Sequence, residues 1–381
     1  MSNQKRLVST LNKVVMMLVF LTVLPANAEI NITDIAGRTV TLDKPANKVV
    51  LGEGRFLAVL GVLGVEQPIS RVAGMMNEFR LYDPAGYQQY QKAFPEIDAV
   101  PTFGHASEES VSVEKIILLN PDVAIFGLNG HGPGARSKHI TDRLEAAGIQ
   151  IVFIDFRQDP INNTVKSVEI VGQVMGREDA AQQYANLYNS ELKKITDGIA
   201  TITEADYPSV LFELRADMGQ ECCMTVAKGL FADMAELAGG ISVAKGLLPG
   251  PVGQLSFEHV INSNFDVYIG SAIGSMLDVE NQDSYKRLLL GPGVDITAAK
   301  NSLNTMSGRL GFAEMAAIKT HRSHAIWHHF YNSPLNIYAI QKMAQWFHPQ
   351  LFSALEPEHV LDKLLENFNG VDLSGRYAVS N

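Results

Sequence analysis

The stretch SVEKIILLNPDV occupies residues 112–123, and SFEHVINSNFDV occupies residues 256–267. Aligned without gaps, Ser112 falls on Ser256, Glu114 on Glu258, Asn120 on Asn264 and Asp122 on Asp266. Apolar positions agree too: Ile116 with Val260, Ile117 with Ile261, Val123 with Val267. Each copy reads as a short helix, opened by a serine cap, that runs into a buried strand. A chain that carries one helix–strand unit twice, far apart, is expected to fold as two similar lobes.

The flanking sequence supports this. KVVLG (48–52), RVAGMM (71–76) and IQIVFIDF (149–156) read as strands; RFLAVLGVLG (55–64) and SKHITDRLEAAG (137–148) read as helices ending at Gly64 and Gly148. Glycine just past a helix accepts the left-handed backbone that other residues resist. Strands alternating with helices imply a mostly parallel sheet covered on both faces. The rhythm stops over 161–200, where Ile161, Val165, Val168 and Met175, then Tyr184, Tyr188, Leu192 and Ile195, keep helical spacing. That predicts a short helix and then a long one, a stiff spine. After residue 206 strands return at SVLFEL (209–214), FDVYIG (265–270) and HAIW (324–327). Helices are expected at 230–240, 311–319 and 334–347, the last capped by Ser333 with Pro334 in its first position. The expected fold class is α/β: two similar α/β lobes with mostly parallel sheets joined by a long spine helix. The lobes cover 29–160 and 206–349, connecting helices 161–205, and a polar, loosely packed tail 350–381.

Composition sets the class. The chain has 381 residues, 46% hydrophobic and 19% charged, which suits two globular domains. Lys5, Arg6 and Lys13, the apolar run VVMMLVFLTVL (14–24) and PANA (25–28) form a secretory signal with cleavage expected after Ala28. Its removal takes away three positive charges and moves the net charge from -10 to -13. An acidic surface argues against nucleic acid and anionic membranes. The only cysteines, Cys222 and Cys223, are neighbours and are either paired with each other or two thiols in a loop.

Glu114 and Glu258 fall in the first turn of their helices, where a carboxylate is favoured by the helix dipole. That accounts for either glutamate alone. Two lobes using the same device would present one acidic knob each to cationic groups on a docking partner.

Several segments together resemble the periplasmic binding proteins that deliver iron–siderophore complexes, haem and vitamin B12 to ABC importers. ITDIAGRTVTLDKPANKVV (32–50) resembles that family's opening, and VMGREDAAQQYANLYNSEL (174–192) the start of its spine helix. The two duplicated units and GFAEMAAIKTHRSHAIWHHFYNSP (311–334) resemble its lobe signatures and last helix–strand unit. The resemblance runs over about residues 30–350. It implies an exported, non-enzymatic, monomeric protein that takes no cofactor and carries a ferric-siderophore-type cargo to an inner-membrane ABC permease. It also implies that Glu114 and Glu258 dock onto arginines of that permease. The longer chain, the Cys–Cys pair and the WHHFY segment depart from the common pattern and leave the cargo open among ferric chelates, haem, cobalamin, bare metal and oxyanions.

In open α/β sheets, ligands lie beyond the carboxyl ends of the strands. The loops that follow the strands nominate Arg55, His131, Arg157, Arg215, His328, His329 and Tyr331. Arginine forks suit carboxylate, phenolate and catecholate oxygens, although each could serve a surface or interlobe salt bridge instead. Adjacent histidines in extended chain point opposite ways, so one of His328 and His329 is expected to face the cleft. With Tyr331 they could instead ligate iron or haem. A competing class is an exported metal-dependent enzyme. The sequence lacks G-x-S-x-G, H-E-x-x-H and P-loop motifs, but His321, His324, His328, His329 and His348 cluster late in the chain.

Overall fold

A computed structural model describes residues 29–217, 222–280 and 286–381. The secretory signal read in residues 1–28 lies outside the described residues. Among those described, no helix is long and apolar enough to cross a membrane.

Two parallel sheets organise the chain. The first holds Val72–Met75, Val49–Leu51, Val123–Gly127 and Gln150–Ile154, in that spatial order. The second holds Ile241–Ser242, Ser209–Glu213, Val267–Ala272 and Ser323–Trp327, followed by the antiparallel edge strand Ala378–Ser380. Counted along the chain within each lobe, both run second, first, third, fourth. The duplicated units occupy equivalent places: helix Val113–Leu119 feeds the third strand of one sheet, and helix Phe257–Asn262 feeds the third strand of the other.

The shared residues do shared work. Ser112 Oγ accepts the Lys115 N–H at 3.3 Å, and Ser256 Oγ accepts the His259 N–H at 3.2 Å, so both serines cap. Asp122 accepts the N–H groups of Asn47 and Lys48 at 2.7 and 2.8 Å. Asp266 accepts the Ser209 N–H at 2.8 Å and its hydroxyl at 2.7 Å. Each aspartate thereby clamps the entry of the first strand beside its own third strand. Asn120 ends its helix at φ 45; Asn264 has no such role.

The strands are buried on both faces, as parallel sheets must be. Alternate side chains divide between two cores. Val49, Leu51, Val210, Phe212 and Ile269 join one core that runs through both lobes. Val50, Ala124 and Phe126 face a core private to the first lobe, and Leu211, Tyr268 and Ala325 one private to the second. Between the lobes lie helices Pro160–Met175 and Glu178–Ile199, the predicted spine. Asp159 and Pro160 start the first, and Gly176 at φ 66 ends it. The second is fixed to the far lobe by buried bonds: Tyr184 to the Pro334 carbonyl at 2.6 Å, Tyr188 to Asn336 at 2.9 Å, and Gln341 to Glu191 at 2.9 Å.

Three sequence expectations need correction. The helix expected at 311–319 is reduced to Ala316–Lys319, since Gly311 adopts φ 85 and breaks the turn before it. Helix Asn336–Phe347 starts later than Ser333 and Pro334 implied, because Ser333 Oγ bonds the Leu335 N–H at 3.1 Å in a local turn. The tail is not loose. Helix Pro357–Leu365 leads to Phe368, which packs on Gly61; a Cβ at Gly61 would stand 2.5 Å from that ring. Asn367 and Asn369 donate to the Val62 and Val65 carbonyls of the first lobe. The chain then crosses to the second lobe and adds its edge strand. The tail is a strap over both lobes, held by buried Phe368, Val371, Leu373 and Tyr377.

Cutting the strap's anchor should therefore cost the whole molecule. Phe368→Ala is expected to lower the unfolding free energy by about 3–4 kcal/mol in denaturant titration; a loss below about 1 kcal/mol would mean that the strap does not hold the lobes.

Candidate ligand-binding cleft

The carboxyl edges of the two sheets meet across a cleft of about 570 Å³. Residues after the first and fourth strands of each sheet line it: Arg55 and Arg157 from one lobe, Arg215, His328, His329 and Tyr331 from the other. His131, after a third strand, completes the set. All seven nominated residues are thus brought together.

What the sequence did not reveal is how the arginines are already engaged. Arg157 Nη2 donates to both oxygens of buried Glu53, at 2.9 and 2.8 Å. Arg55 Nη2 reaches the same carboxylate at 3.2 Å, and its Nε lies 3.6 Å from Glu78. Glu78 in turn accepts the N–H groups of Gly54 and Arg55 at 2.9 and 3.1 Å. The cluster crosses between lobes. Asn332 donates to Glu53 at 2.8 Å, and Arg55 donates to His329 Nδ1 at 3.0 Å. Burial alone would raise the Glu53 carboxyl, but the Arg157 and Arg55 guanidinium charges hold it below 4.5. Burial pushes Glu78 up to about 7. Arg55 and Arg157 therefore share the Glu53 carboxylate in ion pairs within the first lobe, and the bonds that cross to the second lobe are those of Asn332 with Glu53 and of Arg55 with His329. Glu53 sits inside GEGRF, two positions from Arg55, and that proximity was the signal available in the sequence.

Arg215 differs. Its side chain is exposed in the cleft, and no partner of its guanidinium is found among the described residues. Its backbone takes φ 56, a conformation that costs a non-glycine residue on the order of 1 kcal/mol. The Arg215 N–H is held by Ser271 Oγ at 2.8 Å. The same Ser271 Oγ lies 2.9 Å from His328 Nδ1, a contact in which either partner can donate. His131 donates from Nδ1 to the Ala106 carbonyl at 3.3 Å, which leaves Nε2 as acceptor for the Tyr331 hydroxyl at 3.4 Å. Burial lowers His131 to about 4 and His328 to about 3, and drives His329 well below 6.5. All three imidazoles are neutral at pH 7.

Both His328 and His329 line the cleft, against the expectation of one. The reason is local: His328–Asn332 forms a 3-10 turn, not extended chain. The rim adds what charge reading missed. Leu81 and Tyr82 from the first lobe, and Met224 and Val252 from the second, are exposed apolar side chains on the cleft wall. A second void, of about 50 Å³, lies behind Arg55 and His329 and is too small for more than water.

The late histidines do not assemble a metal centre. His324 stacks on Trp346 at 4.5 Å, and His348 bonds the Gly239 carbonyl at 2.9 Å. Cys222 and Cys223 are joined to each other. Their sulfurs lie near Glu213, the one such three-residue group among the described residues, but that carboxylate is held by Arg309 and by Tyr268 at 2.6 Å. The cystine and Glu213 lie outside the cleft wall.

Glu114 and Glu258 are exposed at helix starts. Glu114 bonds Arg143 at 2.7 Å, and that bond holds its carboxyl below the usual range. No carboxylate partner of Glu258 is found among the described residues. Ser112 hangs from the Phe103 carbonyl, and Phe103 N–H bonds Met75 at the carboxyl end of its strand. Leu255, before Ser256, pairs with Cys223 beside the end of strand Ser209–Glu213. Both acids therefore lie at the cleft edge of their own lobes.

The neutral imidazoles fix a pH dependence. A histidine lowered to about 4 binds fewer protons folded than unfolded between pH 6.5 and 4, so stability falls as pH falls through that window. Glu78 and Asp83 act oppositely, since burial raises both and their stability is lost as pH rises from 4.5 to about 7 and from 3.8 to about 6, but four histidines stand against these two, because burial also lowers His324 to about 3. Net stability is expected to drop from pH 7 to pH 5 in denaturant titration. His131→Gln should remove on the order of 1–2 kcal/mol of that drop; an unchanged drop would show that His131 is not held neutral.

Comparison with known proteins gives the chain its family. A family model described as periplasmic binding protein matches residues 58–302. The uncharacterised ABC transporter substrate-binding lipoprotein YvrC of Bacillus subtilis strain 168 is 24% identical over 261 residues, 68% of this chain and 74% of that protein. The crystal structure of the TroA-like periplasmic binding protein FepB from Veillonella parvula superposes with a TM-score of 0.81 at 23% identity, over 92% of this chain and 99% of that one. The molybdate-bound MolA of Haemophilus influenzae superposes with a TM-score of 0.65 at 16% identity, over 91% and 99%. With two parallel-sheet lobes facing a cleft and a family match over most of its length, the chain belongs to the periplasmic binding protein family, as the non-enzymatic, extracytoplasmic solute-binding component of an ABC transporter with a membrane permease as its partner.

Proposed function

We propose that the cargo is an anionic ferric chelate of the siderophore type, held in the interlobe cleft and handed to the permease by a protein exported and processed after Ala28. The observation that carries this reading is the pairing of Arg215, whose guanidinium has no partner among the described residues, with an apolar rim drawn from both lobes. A chelate has that character: charged oxygens around the metal and an organic periphery. The cleft's volume falls in the range of roughly 300–1,000 Å³ typical of small-molecule sites. A small oxyanion would leave the rim uncovered. Arg55 and Arg157 set the cleft's shape and supply their remaining N–H donors, while His328 adds a neutral imidazole.

A second reading, capture of bare metal or haem, is favoured by one observation: His131 presents an unprotonated Nε2 beside the Tyr331 hydroxyl. Metal salts and haem belong in the same titration.

Trp327 neighbours His329, with ring centroids 5.0 Å apart, so intrinsic fluorescence should respond to cargo. Titration of the mature protein with ferric catecholate and ferric hydroxamate chelates is expected to give saturable quenching. Arg215→Ala should weaken it by about ten-fold, the loss of one charge-assisted contact. Binding of metal salt or haem but of no chelate would replace this reading with the second. For delivery, reversing Glu114 and Glu258 to Lys should abolish uptake by whole cells and leave cargo affinity unchanged; equal loss of both would place the two acids in the pocket or the fold instead.

A further inference from the structure

Among the described residues, eleven large apolar side chains are exposed, and their distribution is not random. Four rim the cleft. Four more gather at the two duplicated helices: Leu118 in the first lobe, and Phe257, Ile261 and Leu310 in the second. Leu118 is 83% exposed and Leu310 95% exposed, the two most extreme values of the set. Leu118 lies four residues beyond Glu114, and Ile261 three beyond Glu258, so each stands about one helical turn from its acid on the same side. Leu310 belongs to the same patch. A Cβ on its neighbour Gly311 would meet Phe257 at 2.6 Å and Ile261 at 3.5 Å, and Phe257 stacks on Phe312 at 6.0 Å.

A carboxylate alone gives orientation and on-rate more than affinity when its pair stays in water. An apolar side chain left almost fully in water gains nothing for the free protein, and gains when a partner covers it. We infer that each lobe docks through a composite knob, an acid with an apolar anchor one turn away: Glu114 with Leu118, and Glu258 with the Phe257, Ile261 and Leu310 patch. The occupant is the permease itself, and the inference rests on the docking reading of the two glutamates. Charge and symmetry argue for it. The chain is strongly acidic, and an acid with an exposed apolar side chain about one turn away occurs on equivalent helices of two pseudo-equivalent lobes, four residues on at Leu118 in the first and three on at Ile261 in the second. The fitting partner offers two equivalent positions, each a cation beside a shallow apolar socket. The two halves of a permease provide such a pair. The knobs are unequal, since the second lobe presents the larger patch and an acid free of Arg143, so that side should hold more of the affinity.

The test measures equilibrium binding of the mature protein, without cargo, to the permease–ATPase complex of its own transporter in nanodiscs. Leu118→Asn and Leu310→Asn keep side-chain length, add no charge and lie outside the cores, so thermal unfolding should match the wild type. Leu310→Asn is expected to weaken docking by about ten-fold and Leu118→Asn by about three-fold. Leu247→Asn, exposed away from both helices, should change nothing. If reversal of Glu114 and Glu258 weakens docking while both asparagine variants bind like the wild type, the apolar anchors are refuted and the acidic docking reading stands. If neither the reversals nor the asparagine variants alter binding, the docking reading fails and the inference with it.

Discussion

A parallel sheet must be covered on both faces, and only its strand ends are free to build a site. This chain meets that demand twice and then shares the cover. The inner faces of both sheets, the two spine helices and helix Asn336–Phe347 form one continuous core. With the inner faces merged and the outer faces closed by their own helices, the carboxyl edges of the two sheets are left facing each other. The cleft follows from that geometry. So does its modest mobility. A joint core, an interlobe bond between Asn332 and Glu53, and a C-terminal strap permit a small rotation about the spine and oppose a wide opening.

Electrostatics inside the cleft follow from one carboxylate. Glu53, almost fully buried, meets two guanidinium groups and an amide across the lobe boundary. In a low-dielectric interior an unpaired charge is costly, and a pair left incomplete is worse than none. Glu53 therefore engages two of the four cleft-lining arginines, Arg55 and Arg157, and Asp217 and Asp278 engage a third, Arg287. Among the described residues, what remains for a ligand is Arg215, a set of neutral ring nitrogens and a greasy rim. A site so balanced selects shape and partial charge over bulk anionic attraction.

The architecture was legible because it is written in periodicity. Buried strands read as short apolar runs, helices closed at Gly64, Gly148 and Gly176, and the repeated Ser-x-Glu and Asp positions marked equivalent joints. Asp122 and Asp266 turned out to be strand clamps, a role that spacing alone cannot distinguish from a surface charge. Less legible was anything decided by partners distant in sequence. Glu53 and Glu78 appear as ordinary acids until Arg55 and Arg157 are brought to them. The 3-10 turn at His328–Asn332 depends on the tertiary corner it fills, so two histidines expected to diverge share a wall. The tail read as polar because its anchors, Phe368, Val371, Leu373 and Tyr377, are too sparse to show a period, yet each fills a place prepared by another element.

The central claim is that an organic metal chelate, and not a bare ion, occupies the space between the sheets. Native mass spectrometry with a visible absorption spectrum, taken on the protein isolated from iron-starved cells without chelating steps, tests it directly. One organic ferric complex per chain is expected, lost together with its absorption band when the protein is unfolded. Protein that carries stoichiometric metal with no accompanying organic mass would contradict it.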